Sequence, residues 1–94
     1  MASGTGTATL SFGAAPGTNV ATVTVGGQAG ITPSTHIEAW MMGDTTADHN
    51  AYEHMIAPFV VRCGSIVNGT SFEIMASSEY RVSGDFTVHW VWSN

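Results

Sequence analysis

Apolar and polar residues alternate with a period of two along most of this chain, the spacing of strands that bury one face. Thr7-Ala8-Thr9-Leu10-Ser11-Phe12 predicts a first strand with Ala8, Leu10 and Phe12 turned inward. Gly13 to Thr18, with Pro16-Gly17, is turn chemistry. Asn19 to Val25 alternates again, with Ala21, Val23 and Val25 on one face and Thr22 and Thr24 on the other, until Gly26-Gly27 ends it. These two segments are expected to pair as a hairpin with a long loop. Residues 28–35, broken by Gly30 and Pro33, read as loop. His36 to Met42 predicts the third strand, with Ile37, Ala39 and Met41 on one face and His36, Glu38, Trp40 and Met42 on the other. Both faces are substantial, so this strand is expected to be covered on two sides.

The second half repeats the pattern. Phe59 to Cys63 is apolar and β-rich, and Gly64-Ser65-Ile66-Val67 continues it past a bulge. Asn68-Gly69 is a tight-turn signal. Ser71 to Ala76 places Phe72, Ile74 and Ala76 inward and Glu73 and Met75 outward. Residues 77–85 read as a turn region with a short strand at Tyr80 and Val82. Phe86 to Trp92 closes the chain with Phe86, Val88, Trp90 and Trp92 on one face and Thr87, His89 and Val91 on the other. About six strands at roughly 10-residue spacing predict an all-β antiparallel sandwich. Residues 1–6, rich in Gly, Ser and Thr, are expected to be a flexible lead-in, and 7–94 a single domain.

One stretch breaks the alternation. Asp44 to Pro58 holds His49 and His54, Asp44 and Asp48, Glu53 and Tyr52. It predicts a loop or short helical insertion, with Asp44, Thr45 or Thr46 capping a turn that begins near Ala47. Pro58 ends any helix, because the residue before proline avoids the α region. A polar insertion on a rigid sheet is where function usually sits.

Composition narrows the function classes. Charged residues are 10% of the 94, against a usual value of about 25%, while hydrophobic residues are 44%. So small and so lightly charged a domain, with no disulfide to brace it, is expected to hide part of its surface against copies of itself or a partner. Arg62 and Arg81 are the only basic residues and the formal net charge is -5. No basic footprint for nucleic acid exists, and membrane insertion is not expected. The opening lacks the basic and apolar regions of a signal peptide, which predicts synthesis in the cytoplasm.

Catalytic chemistry finds little support. His49 and His54 are five positions apart, which on a helix separates them by about 140°, and no spacing among the histidines and carboxylates assembles a ligand set. An axial His36 or His89 in a trimer is the one arrangement that would supply three ligands. Cys63 sits in an apolar strand beside Arg62, the setting of an inert core thiol. No serine lies in a nucleophile elbow, and Glu38, Glu53 and Glu73 offer no evident paired-carboxylate cleft. No enzyme activity and no cofactor are expected. Carbohydrate binding fits better: Asp48, His49, Asn50, Tyr52 and Glu53 supply aromatic, amide and carboxylate groups within one short run, and Tyr80 and Arg81 supply a second set. Tyr52 could equally anchor the insertion by packing. The mixed face of His36, Glu38 and Trp40, with Arg62 and His89, is the expected subunit interface, aromatic residues being enriched in such places. A salt bridge from Arg62 to Glu38 or Glu73 would fit it.

Gly6-Thr7-Ala8-Thr9-Leu10-Ser11-Phe12-Gly13, His49-Asn50-Ala51-Tyr52-Glu53-His54, Arg62-Cys63-Gly64 and Phe86 to Trp92 together resemble small β-rich domains encoded among bacteriophage tail genes. The resemblance implies a virion location, other virion proteins as partners and a host surface glycan as a receptor. More loosely, Ser71-Phe72-Glu73-Ile74 and the closing aromatic run resemble the H-type lectins. That likeness implies a six-stranded antiparallel sandwich assembled as a homotrimer, with sugar bound between loops of adjacent subunits. The disulfide of the animal lectins is lacking here. The resemblances leave open a purely structural trimerisation or capping module without a ligand.

Overall fold

A computed structural model describes residues 3–56 and 58–94. The order is β1 (Ser3–Ser11), β2 (Thr18–Val25), β3 (His36–Trp40), α1 (Ala51–Ile56), β4 (Val60–Val67), β5 (Ser71–Val82) and β6 (Asp85–Ser93). The strands form two three-stranded antiparallel sheets, β1-β6-β3 and β2-β5-β4, packed as a sandwich. No helix among the described residues is long and apolar enough to cross a membrane.

The inward faces are those the alternation predicts. Leu10 and Phe12, Ala21, Phe72, Ile74 and Ala76, and Phe86, Val88, Trp90 and Trp92 are buried, joined by Ile31 from the loop before β3. Each of the larger of these side chains contributes about 1.5–3 kcal/mol by leaving water. Trp92 donates its indole N–H to Gln28 Oε1 at 2.9 Å. Trp90 Nε1 is buried with no hydrogen-bond partner among the described residues, and its ring meets Phe72 edge to face at 5.3 Å.

These two tryptophans explain the first correction. Of the lead-in expected over 1–6, residues 3–6 are strand: β1 starts at Ser3 and pairs with β6 from Ser3↔Ser93 onward. Met1 and Ala2 lie outside the described residues. Gly4 and Gly6 face inward beneath the indoles, where an added Cβ would come 2.5 Å from Trp92 Nε1 and 2.7 Å from Trp90 Cζ2. Glycine here makes room for the large side chains of the neighbouring strand. The composition that reads as flexible is therefore steric complementarity.

The expected hairpin of β1 with β2 does not form. β1 pairs with β6 and β2 with β5, so the turn after Ser11 carries the chain from one sheet to the other. Period-two patterning fixes which face is buried and says nothing about the partner. β1 finds in β6 a nine-residue ladder without a register shift. Gly17, at φ 76°, closes this crossing against the Val82 carbonyl, where no Cβ fits.

Residues 77–82, expected as turn, belong to β5, and the turn shrinks to Ser83-Gly84. Ser77 pairs with both Val20 and Val60, and Val82 with Thr18, so the strand is held on both sides past the point where its apolar alternation fades. The bulge after Gly64 is present, with Ser65 at φ 49°, and Gly69 at φ 67° makes the turn into β5. The outer face of β3 is open within the chain rather than covered: His36, Glu38 and Trp40 are exposed. The helix begins at Ala51, not near Ala47, for reasons that belong to the site.

Candidate functional site: the insertion beside strand β6

β3 covers only half of β6. It ends at Trp40, opposite His89, while β6 runs on to Asp85. Beyond that point the backbone groups of β6 on this side have no strand to meet. A half-buried N–H or C=O left unpaired is costly, so something must answer them. The insertion does so with side chains. Thr46 Oγ1 donates to the Asp85 carbonyl at 2.8 Å, and the Asp85 N–H donates to Asp48 Oδ2 at 2.9 Å. The Thr87 N–H donates to His54 Nε2 at 3.0 Å. At the turn, a His49 ring nitrogen lies 2.6 Å from the Ser83 carbonyl. Next to Trp40, His89 Nε2 meets Asp44 Oδ2 at 2.7 Å on the outer face, and the His89 ring stacks on Trp40 at 6.1 Å.

The helix is set by its own cap. The Glu53 N–H donates to Asn50 Oδ1 and the Asn50 N–H donates to Glu53 Oε1, both at 2.9 Å. This reciprocal pair is a capping box with asparagine at the N-cap. Asn50-x-x-Glu53 was the sequence signal for a start at Ala51. The earlier Thr46 caps a different turn: its Oγ1 accepts the N–H groups of Asp48 and His49 at 3.2 and 3.1 Å.

The two histidines of the insertion flank one ring. His49 stacks on Phe86 at 3.9 Å, and His54 tilts against it at 5.1 Å. Phe12 and Phe59 meet the same ring edge-on at 5.9 and 4.9 Å. His54 is 2% exposed and has its protons placed by geometry: Nε2 accepts from Thr87, so Nδ1 carries the hydrogen and donates to the Asn50 carbonyl at 3.0 Å. For His49, burial works against the charged form. The Ser83 carbonyl, the Glu53 carboxylate and the Asp48 charge outweigh it and hold the imidazole above its ordinary range. Glu53 sits below its ordinary range, chiefly because the Asn50 N–H bonds it and secondarily because of His49.

The residues named as a binding set are thus brought together, but most are engaged within the chain. Asp48, His49, Asn50 and Glu53 hold the insertion to β6 and to itself. Tyr52 is not a packing anchor: it is 76% exposed. Tyr80, at the far end of β5, is 68% exposed, and Arg81 beside it is exposed. A shallow depression of about 410 Å³ lies between Ser11, Asp48, His49, Ser83 and Asp85, with an acidic rim.

Of the residues named as an interface, Glu38, Trp40 and Arg62 border the free edge of β3, while His89 lies on β6 against Asp44 of the insertion. Ile37 to Trp40 and Val61 to Cys63 line an open groove of about 520 Å³ between the edge strands β3 and β4. His36 and His89 sit at opposite ends of β3, since His36 pairs with Ser93 and Trp40 with His89. Arg62 is exposed and forms no ion pair with Glu38 or Glu73 among the described residues. Burial and then the nearby Glu38 charge push the Cys63 thiol up, away from a reactive thiolate. Among the described residues, no three His, Cys, Asp or Glu side chains converge where an ion could be held. Sequence reasoning named Thr46 as a cap but missed its bond to Asp85, and missed Gln28 altogether, because these partners are distant in the chain and carry no local signature. No family profile, curated protein or solved structure matches this chain.

Proposed function

We propose that this chain is a non-enzymatic binding module whose first partner is itself. The observation that carries this reading is a division of labour. The polar groups of the insertion are engaged in holding β6, while large apolar side chains are left outside: Trp40 and Met42 at the end of β3, and Tyr52, Met55 and Ile56 on α1. Isolated exposed apolar residues are ordinary, but five of them within one short stretch of chain, Trp40 to Ile56, favour a contact surface there. The groove between β3 and β4, with Glu38 and Arg62 unpaired to each other on its two walls, suits an intersubunit contact in which each meets the other's copy. A homotrimer of the H-type-lectin kind, built on His36, Glu38, Trp40, Arg62 and His89, fits this arrangement. The resemblance to bacteriophage tail domains supports a place in the virion beside other virion proteins, and the scarcity of basic residues speaks against nucleic acid as a partner.

A second reading rests on Tyr52 and Tyr80, exposed aromatics that nothing in the chain requires. Such rings can stack on a host surface glycan, and Arg81 adds a charge beside one of them. Light scattering on the wild type and on Trp40→Ser tests the first reading: the particle mass should fall to about a third in the variant, and a wild-type monomer would refute it. A glycan array on the assembled protein tests the second. Signal retained in both Tyr52→Ala and Tyr80→Ala would refute it.

A further inference from the structure

Each sheet of an open sandwich has two edges, and natural proteins protect them against pairing with another chain. Three of the four edges here carry such a device. β3 is only five residues long and bears Glu38. β4 carries Arg62 and the bulge at Ser65. β2 is interrupted by a register shift between Thr18 and Val20. β1 has none. It is nine residues long and unshifted against β6, with no charge, no proline and no bulge.

We propose that the free edge of β1 pairs with β1 of a second copy of this chain, antiparallel about a twofold axis at Thr7, to join two β1-β6-β3 sheets into one. Three observations choose this occupant.

The first is the direction of the backbone groups. Asp85 and Thr87 turn their N–H groups toward the insertion, away from β1. Their partners Ser11 and Thr9 therefore turn theirs away from β6, and by alternation so do Thr7, Thr5 and Ser3. These five residues present a continuous row of N–H and C=O groups to the open edge. Pairing centred on Thr7 would satisfy them with roughly ten hydrogen bonds.

The second is the symmetry of the side chains. The outward residues Ser3, Thr5, Thr7, Thr9 and Ser11 are all hydroxyls, and the set reads the same in both directions from Thr7. Antiparallel pairing at that register sets Thr7 opposite Thr7, Thr5 opposite Thr9 and Ser3 opposite Ser11. Hydroxyl pairs of this kind are favourable across strands. On the inner face Gly4 falls opposite Leu10 and Gly6 opposite Ala8, small against larger.

The third is charge. The chain carries -5, which resists self-association wherever carboxylates would meet. No Asp, Glu, Lys or Arg occurs before Glu38, so both strands on this side of the sandwich are uncharged. The nearest charge on the neighbouring strand, Asp85, pairs with Ser11 at one end of β1, and the twofold sends its copy to the opposite end.

This contact is independent of the proposed trimer, because β1 and β3 are opposite edges of their sheet. The test is Thr7→Pro, compared with the wild type by sedimentation velocity over a concentration series. The Thr7 N–H turns away from β6, so proline there removes no hydrogen bond of the β1–β6 ladder, and an edge strand accepts it. The expected result is a halved particle mass with unchanged circular dichroism. If Thr7→Pro does not fold, Thr7→Lys, which sets two like charges face to face across the axis, should give the same halving. Amide exchange at Thr5, Thr7 and Thr9 in the wild type should slow as concentration rises. In Thr7→Lys it should stay fast at Thr5 and Thr9. A particle mass unchanged in a folded variant, or exchange at these amides that does not depend on concentration, would overturn the proposal.

Discussion

The sharpest consequence of the insertion's hydrogen bonds concerns His54. Replacing it by alanine removes the acceptor for the Thr87 N–H and the donor to the Asn50 carbonyl, and empties a site that is 2% exposed. Leaving a buried N–H without a partner costs about 1–3 kcal/mol. Emptying a well-packed side-chain site adds about 2–5 kcal/mol. The two overlap in part, so a total near 4 kcal/mol is expected, against a whole-domain stability of about 5–14 kcal/mol for a chain of this length. At about 4–8 °C per kcal/mol, the melting midpoint should fall by roughly 15–30 °C. Glutamine offers a control, since its amide can accept from Thr87 and donate to Asn50; His54→Gln should cost about 1–2 kcal/mol. Differential scanning calorimetry gives the midpoints, and hydrogen exchange at Thr87 reads the bond itself. Protection at that amide should fall more in His54→Ala than at amides on the β1 side of β6. A midpoint lowered by less than about 5 °C, or unchanged relative protection at Thr87, would refute the view that side chains of the insertion complete the β6 ladder.

Further predictions test other parts of the structure. Gly6→Val should destabilise by about 1–3 kcal/mol through overpacking against Trp90, measured by urea denaturation; a neutral result would remove the steric account of β1. Asn50→Ala should cost about 1 kcal/mol, and more than Tyr52→Ala, whose ring is exposed; thermal melts that reverse this order would contradict the cap. The raised His49 value makes its contribution fully present below the unfolded value of about 6.5 and lost as pH rises through the folded one. The lowered Glu53 value makes its contribution present above the unfolded carboxylate range and lost as pH falls through the folded one. Proton NMR should therefore show His49 titrating above the ordinary histidine range and moving down in Glu53→Gln; no movement would break the link. Cys63 should alkylate slowly at neutral pH and faster in Glu38→Gln, followed by mass spectrometry.

Much of the architecture was legible because period-two patterning is a direct record of burial. Phe72, Ile74 and Ala76, and Phe86 through Trp92, alternate cleanly, and Asn68-Gly69 announces its turn. Pairing was not legible, because the match between Gly4 or Gly6 and a tryptophan more than eighty positions away has no local trace. The insertion was visible as a departure from alternation, and its cap was written in Asn50 and Glu53. What its histidines and aspartates do was hidden for a specific reason. Asp48 and His54 answer backbone groups of β6, open to them only because β3 stops at Trp40, while His49 meets the Ser83 carbonyl of the turn and Asp44 the His89 ring. A polar side chain that answers a backbone and one that answers a ligand look alike in sequence.

That half-strand, half-side-chain ladder reverses the usual map of mutational tolerance. A strand paired through its backbone accepts many residues on its open face, because the bonds belong to the main chain. A segment paired through its side chains accepts few, because each bond belongs to one residue. In a saturation scan of this protein, the outward positions of β3, His36 and Glu38, should be permissive for folding, whereas Thr46, Asp48 and His54 should admit almost nothing. The loop, ordinarily the part of a domain most open to change, would here be its most restrictive passage.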